Sequence, residues 1–193
     1  MPLKISNVAA LAHRCRIFLA VFIVIFLSDQ ISKWFILTRI FNGESPGFIQ
    51  WVIDAPGRVS YQRLELLPFF NLTMVWNDGI SFGMLSGTSA WQPYILSLMS
   101  VLICIALFIW MLKTQKKSQI IALSAVISGA MGNVFDRLRF GGVADFFDFH
   151  VLGWHYPAFN IADSTIVLGV AYLAIDAVFF SQSETAYDSK TND

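Results

Sequence analysis

Two aspartates in the last third of the chain carry the chemistry this sequence can offer. Asp145 follows Gly141-Gly142-Val143-Ala144 and precedes Phe146-Phe147. The glycines let the backbone turn back sharply, and a carboxylate set among phenylalanines is desolvated, which favours its protonated form. Asp163 lies in Phe159-Asn160-Ile161-Ala162-Asp163-Ser164, where Asn160 is a candidate N-cap and Asp163 falls at N3. Alone, Asp163 reads as a helix-start carboxylate facing the helix dipole. Together, the two come from the ends of neighbouring segments joined by a short connection that can set them face to face. Two carboxylates sharing a site cannot both ionise easily, so one keeps a proton while the other stays charged. Such a pair can activate water as a base and protonate a leaving amine as an acid.

Further polar residues stand where apolar ones are expected. Asp29 and Lys33 are four apart and share a helix face. They read either as an interfacial ion pair or as the polar corner of a buried network. Asn133, Asp136 and Arg137 are three and four apart at the end of another apolar stretch. Asp136 beside Arg137 reads as a charge pair that fixes the geometry of its neighbours. Ionisable groups at membrane depth are costly, so each is a functional hypothesis by default.

The elements that must position these residues are membrane helices. The chain is 56% hydrophobic and 13% charged, whereas a soluble domain carries about 25% charged residues. Net charge is zero, so no basic face points to nucleic acid. A spanning helix needs about 20 mostly apolar residues, and four stretches qualify: 17–37, 91–112, 119–135 and 161–180. In the third, Ser124, Ser128 and Gly132 recur at four-residue spacing, which lets helix backbones approach closely and predicts a central position. The first stretch lacks a small-x-small cleavage site and is read as an uncleaved helix. Lys4, Arg14 and Arg16 precede it, and Lys113, Lys116 and Lys117 fill the turn after the second, so those regions are expected to be cytoplasmic. Both termini then face the cytoplasm, with residues 181–193 a disordered tail and residues 1–180 a single domain. Arg137 and Arg139 on the outer side count against this orientation but are outnumbered. Within the outer segment from about 39 to 90, Leu64–Val75 has strand character, and Gly43–Ser60 reads as a looser stretch. The expected fold is therefore an all-α membrane protein of four transmembrane helices with a small extracytoplasmic β-sheet platform. Cys15 and Cys104 show no metal-ligand spacing and read as small core side chains.

Five motifs run in order through the chain: Asp29-Gln30-x-x-Lys33; Asn77-Asp78-Gly79-Ile80-Ser81-Phe82-Gly83; Gly132-Asn133-x-x-Asp136-Arg137; Val143-Ala144-Asp145-Phe146; and Phe159-Asn160-x-Ala162-Asp163. On these the chain closely resembles the lipoprotein signal peptidases, the bacterial type II signal peptidases. The resemblance implies a cofactor-free, metal-free aspartyl endopeptidase of the bacterial cytoplasmic (inner) membrane, with its site near the outer leaflet. Such enzymes remove the signal peptide from prolipoproteins just before a Cys bearing a diacylglyceryl group. It implies Asp145 and Asp163 as the catalytic pair, with Asp29, Asn77, Asn133, Arg137 and Asn160 lining or bracing the pocket. Lys33, Gly79 and Asp136 form a second tier that orients helices and backbone. The implied partners are lipid-modified prolipoproteins and membrane phospholipid, with the chain a monomer. Two departures stand out: the segment between Arg39 and Leu64 is longer than the family usually carries, and Val-Val-Asp has become Val143-Ala144-Asp145.

Other chemistries fit less well. His150 and His155 do not form the H-E-x-x-H pairing of a helical zinc protease. Ser86-Gly87 and Ser128-Gly129 lack a G-x-S-x-G setting. A small transporter or channel, with Asp and Lys lining an ion path, is the alternative from another class.

Overall fold

The computed structural model describes residues 5–44, 46–79 and 90–179. Helix α1 (Ile5–Trp34) continues into a π-helical stretch (Phe35–Phe41) and is followed by a short helix α2 (Phe48–Asp54). Strands β1 (Arg63–Leu67) and β2 (Phe70–Asn77) come next, then helices α3 (Gln92–Lys113) and α4 (Lys117–Phe140). Strands β3 (Val143–Val151) and β4 (Trp154–His155) lead to α5 (Ile161–Phe179). Residues 8–41, α3, α4 and α5 are each long and apolar enough to cross a membrane. The four expected spans are thus present, and the mostly helical fold with a small antiparallel sheet matches the expected class.

Helix α4 is the axis of the bundle and packs against α1, α3 and α5. Ser124 and Ser128 are buried, and their hydroxyls return to the carbonyls of Ile120 and Ser124. That leaves a narrow surface for neighbouring helices. Gly132 shows why the stripe matters: a Cβ there would lie 2.8 Å from an Asp29 carboxylate oxygen on α1. Helices α3 and α5 instead expose rows of Leu, Ile and Val, as helices facing lipid do.

Three expectations need correction. The first helix starts well before residue 17, so Arg14 and Arg16 ride on α1 rather than precede it. Residues 5–16 contain neither Gly nor Pro to stop the helix. The stretch read as loose contains α2, whose Trp51 is buried against Phe48 and Phe140. The sheet is not confined to the outer segment before α3. It is antiparallel in the order β1-β2-β3-β4, and β2 pairs with β3 from the segment after α4, Val75 opposite Asp145 and Asn77 opposite Val143. Leu72, Met74, Ala144 and Phe146 pack with Ile36, Leu37, Phe41 and Trp51 beneath it. The tail at 181–193, Lys4, Ser86-Gly87 and the Ile80–Gly83 part of the second motif lie outside the described residues.

Candidate active site

Asp145 enters on β3, whose Val and Phe side chains suit a pleated, covered surface. It is 2% exposed. Asn160 Nδ2 donates to its Oδ1 at 2.8 Å and Asn77 Nδ2 to its Oδ2 at 3.0 Å. Asp163 enters on the first turn of α5. Its backbone N–H donates to Asn160 Oδ1 at 2.9 Å, while Asn160 N–H donates to Asp163 Oδ2 at 3.2 Å. This is a reciprocal capping box, formed by the residues whose spacing suggests it. Asn133 from α4 donates to Asp163 Oδ1 at 2.8 Å and accepts from Asn160 Nδ2 at 3.2 Å. Both carboxylates are thus held by neutral amides, and the fully buried Asn160 bridges them.

Burial pushes Asp145 up to about 7, and the nearby charge of Asp163 adds to the rise; the amides of Asn77 and Asn160 and the more distant Lys33 oppose it. A carboxyl poised near neutrality beside a second carboxylate can hold and release a proton at working pH.

A second cluster lies behind the pair and is built differently. Lys33 Nζ lies 2.7 Å from Asp29 Oδ2 and 2.7 Å from Asp136 Oδ2, with all three side chains fully buried. Gln30 Nε2 links the same two carboxylates at 3.0 and 3.1 Å. Asp29 Oδ1 accepts the backbone N–H of Ala162 at 3.0 Å, and Asp136 Oδ2 that of Ala144 at 3.5 Å. Ala162 and Ala144 immediately precede Asp163 and Asp145, so the cluster fixes the backbone at both aspartates.

The expected Asp136–Arg137 charge pair is not formed. Consecutive helix residues do not face each other: Asp136 turns to Lys33 of α1, while Arg137 Nη1 reaches the carbonyl of Asn133 at 3.5 Å. Gly79 takes a left-handed φ of +79° and donates its N–H to Asn77 Oδ1 at 2.9 Å, orienting the amide that meets Asp145. Gln92 at the start of α3 holds the carbonyls of Asp78 and Gly79 at 2.9 and 2.8 Å. The ten candidate residues thus fall into one connected region. Two supports escaped the sequence reading: Gln30, although inside the first motif, and Gln92, which carries no motif signal. Asp176, also passed over, lies at the other end of the bundle and is bound by Gln119 at 2.6 Å. Asp148 is tied to Asn71, Thr73 and His155 rather than to the pair. Among the described residues, no group of three or more His, Cys, Asp or Glu side chains is placed to hold a metal ion.

Four helices of membrane-spanning length, with two aspartates joined through Asn160 at one end, fit an aspartic-type membrane peptidase. The family described as signal peptidase (SPase) II matches residues 21–179, and the chain belongs to that family. It is similar to the lipoprotein signal peptidase of Polynucleobacter necessarius, 37% identical over 158 residues that span 81% of this chain and 85% of that protein. Likeness to the lipoprotein signal peptidase of Shewanella oneidensis is 39% over 167 residues, 85% and 87% of the two chains. A solved structure described as a bacterial membrane enzyme, 28% identical, superposes with a TM-score of 0.64 over 86% of this chain and 90% of that one. The chain is therefore a multi-pass hydrolase of the bacterial inner membrane that cleaves signal peptides from prolipoproteins. The transporter alternative has no support.

Proposed function

We propose that Asp145 and Asp163 are the catalytic pair and share one proton between them. The reading is carried by the bridging Asn160, which touches both carboxylates without supplying charge. The ionised carboxylate takes a proton from a water whose oxygen attacks the scissile carbonyl. Its protonated partner hydrogen-bonds the carbonyl oxygen as negative charge develops there. Collapse of the tetrahedral intermediate breaks the C–N bond, and a carboxyl proton passes to the departing amine. Asn77, Asn133 and Arg137 have donors on the same region and hold the pair and the peptide backbone in register.

The substrate in this reading is a prolipoprotein whose Cys carries a diacylglyceryl group, the acyl chains lying along the apolar helix faces. On this reading, both termini lie in the cytoplasm and the carboxylate pair at the outer leaflet. Arg14 of α1 donates to the carbonyl of Leu112 beside Lys113, Lys116 and Lys117, which gathers the basic residues at the end opposite the sheet. Purified wild type, Asp145→Asn and Asp163→Asn are to be compared on diacylglyceryl-modified prolipoprotein with excess chelator. Wild type is expected to cleave, and each folded variant to lose about 10²–10⁴-fold in kcat. Full activity in either variant would remove that residue from the pair.

A further inference from the structure

Arg58 stands in the long segment between α2 and β1, away from every motif above. Its guanidinium is engaged in three directions. Nε donates to the carbonyl of Phe140, the last residue of α4, at 2.8 Å. Nη2 pairs with Asp78 Oδ1 at 2.7 Å, and Cζ lies 5.1 Å from the Trp76 ring centroid. The contact is close: a Cβ on Gly142 would lie 2.6 Å from Arg58 Nη2 and 2.5 Å from Asp78 Oδ1. Arg58 therefore joins two chain segments that also meet through the sheet and through the Trp76–Phe140 ring contact. One is the α4–β3 turn, three residues upstream of Asp145. The other is the end of β2, where Asn77 donates to Asp145 and Gly79 orients Asn77.

We propose that Arg58 is a positioning residue for the cleavage reaction, clamping the α4–β3 turn to the end of β2 so that Asn77 stays on Asp145. The inference rests on the reading of Asp145 as one of the catalytic pair. The ion pair is about one-third exposed at Arg58 and more so at Asp78, so it adds little to stability. Its consequence is geometric, because a planar guanidinium fixed by three partners sets their mutual angles. The long segment before β1 then serves the site by positioning, Arg58 acting beside the Val59 carbonyl that holds Trp76, rather than by contact with substrate.

The test is steady-state cleavage of diacylglyceryl-modified prolipoprotein by the purified full chain, with thermal unfolding in the same detergent. Arg58→Ala is expected to lower kcat about 10- to 100-fold, with KM held within about twofold and unfolding close to wild type. Arg58→Lys keeps a charge for Asp78 but replaces the planar fork by a single ammonium nitrogen, and is expected to recover only part of the loss. Arg63→Ala, which removes another arginine of the same outer region, is expected to match wild type. Unchanged kcat in Arg58→Ala overturns the proposal, as does a raised KM with kcat intact, which would mean substrate contact. If Arg58→Ala does not fold, the same split is read from Asp78→Asn, where unchanged kcat is equally contrary. A fully active Asp145→Asn would instead bring down the underlying reading of the pair.

Discussion

Asp29 and Asp136 close on a lysine; Asp145 and Asp163 close on asparagines. The two carboxylate pairs lie at the same end of one bundle, linked through the backbone of Ala162 and Ala144, yet their settings differ in kind. Lys33 puts a full positive charge 2.7 Å from each of its carboxylates, so the pair is tied into a fully buried ionic frame. Asn77, Asn133 and Asn160 supply hydrogen bonds without charge. Burial then favours the neutral form of Asp145, and the nearby charge of Asp163 adds to the rise, which leaves Asp145 near 7. On the proposed assignment, the cation makes one carboxylate pair structural and the amides leave the other chemical. Asp148 makes a third case: bonds from His155, Thr73 and Asn71 outweigh its desolvation and hold it below the usual carboxylate range, again away from working pH.

The contrast can be broken most severely at its cation. Lys33→Met leaves two buried carboxylates facing each other, and a loss of about 3–5 kcal/mol is expected, read by thermal unfolding in detergent. Adding Asp29→Asn and Asp136→Asn is expected to restore most of that stability. If Lys33→Met alone unfolds like wild type, the cluster is not the frame described here.

Asn160→Ala separates the bridge from the cap. As a lost N-cap it is expected to cost about 1 kcal/mol, but kcat is expected to fall about 100-fold because both carboxylates lose a common partner. A kcat decrease no larger than the stability change would reduce Asn160 to a cap.

Asn77→Lys imports the cation of the structural cluster into the chemical one. With an ammonium beside Asp145, the high-pH limb of the rate profile is expected to move down by about 1–3 units. An unmoved limb would mean that Asp145 does not set it.

The smallest effect is expected at Asp148. Because its folded-state carboxyl titrates below the ordinary value of 3.8, its contribution is complete above that pH and is lost as acid protonates it. Asp148→Asn is expected to lower stability by about 1–2 kcal/mol at neutral pH, with less difference in acid and cleavage unchanged.

How far these settings can be read from the chain depends on the range of each contact. Asp29 with Lys33, and Asn160 with Asp163, are four and three residues apart, so helix geometry alone pairs them. Asp136 meets Lys33 across more than a hundred residues, and nothing local distinguishes that partner from the adjacent Arg137. The four spans were visible because lipid demands length and hydropathy together. Strand β3 was not, although it carries Asp145. Val143 through Phe146 are buried on both faces of the sheet, and a strand covered on both sides loses the alternation that marks strands. Helix α2 has seven residues, too few for a helical period to stand out. Arg58 shows no pattern at all, since its three partners come from β2, the β2 end and α4. The chemistry is thus legible as residue types in order, while the amide bridge through Asn160 depends on Phe159 lying against β3 at Phe147, a contact that no local pattern announces.

The most direct test of the shared proton is the pH dependence of kcat/KM for wild type between about pH 4 and 9, on lipidated substrate in a fixed detergent. With folded-state Asp145 near 7 against an ordinary 3.8, the proton is held more tightly in the folded protein than in the unfolded chain. Stability contributed by that proton is complete in acid and declines as pH rises through about 7. A bell-shaped profile with a high-pH limb near 7 is expected, with a parallel decline in unfolding temperature that Asp145→Asn abolishes. Activity that stays flat from pH 5 to 9, with no such decline, would contradict a pair of carboxylates sharing one proton.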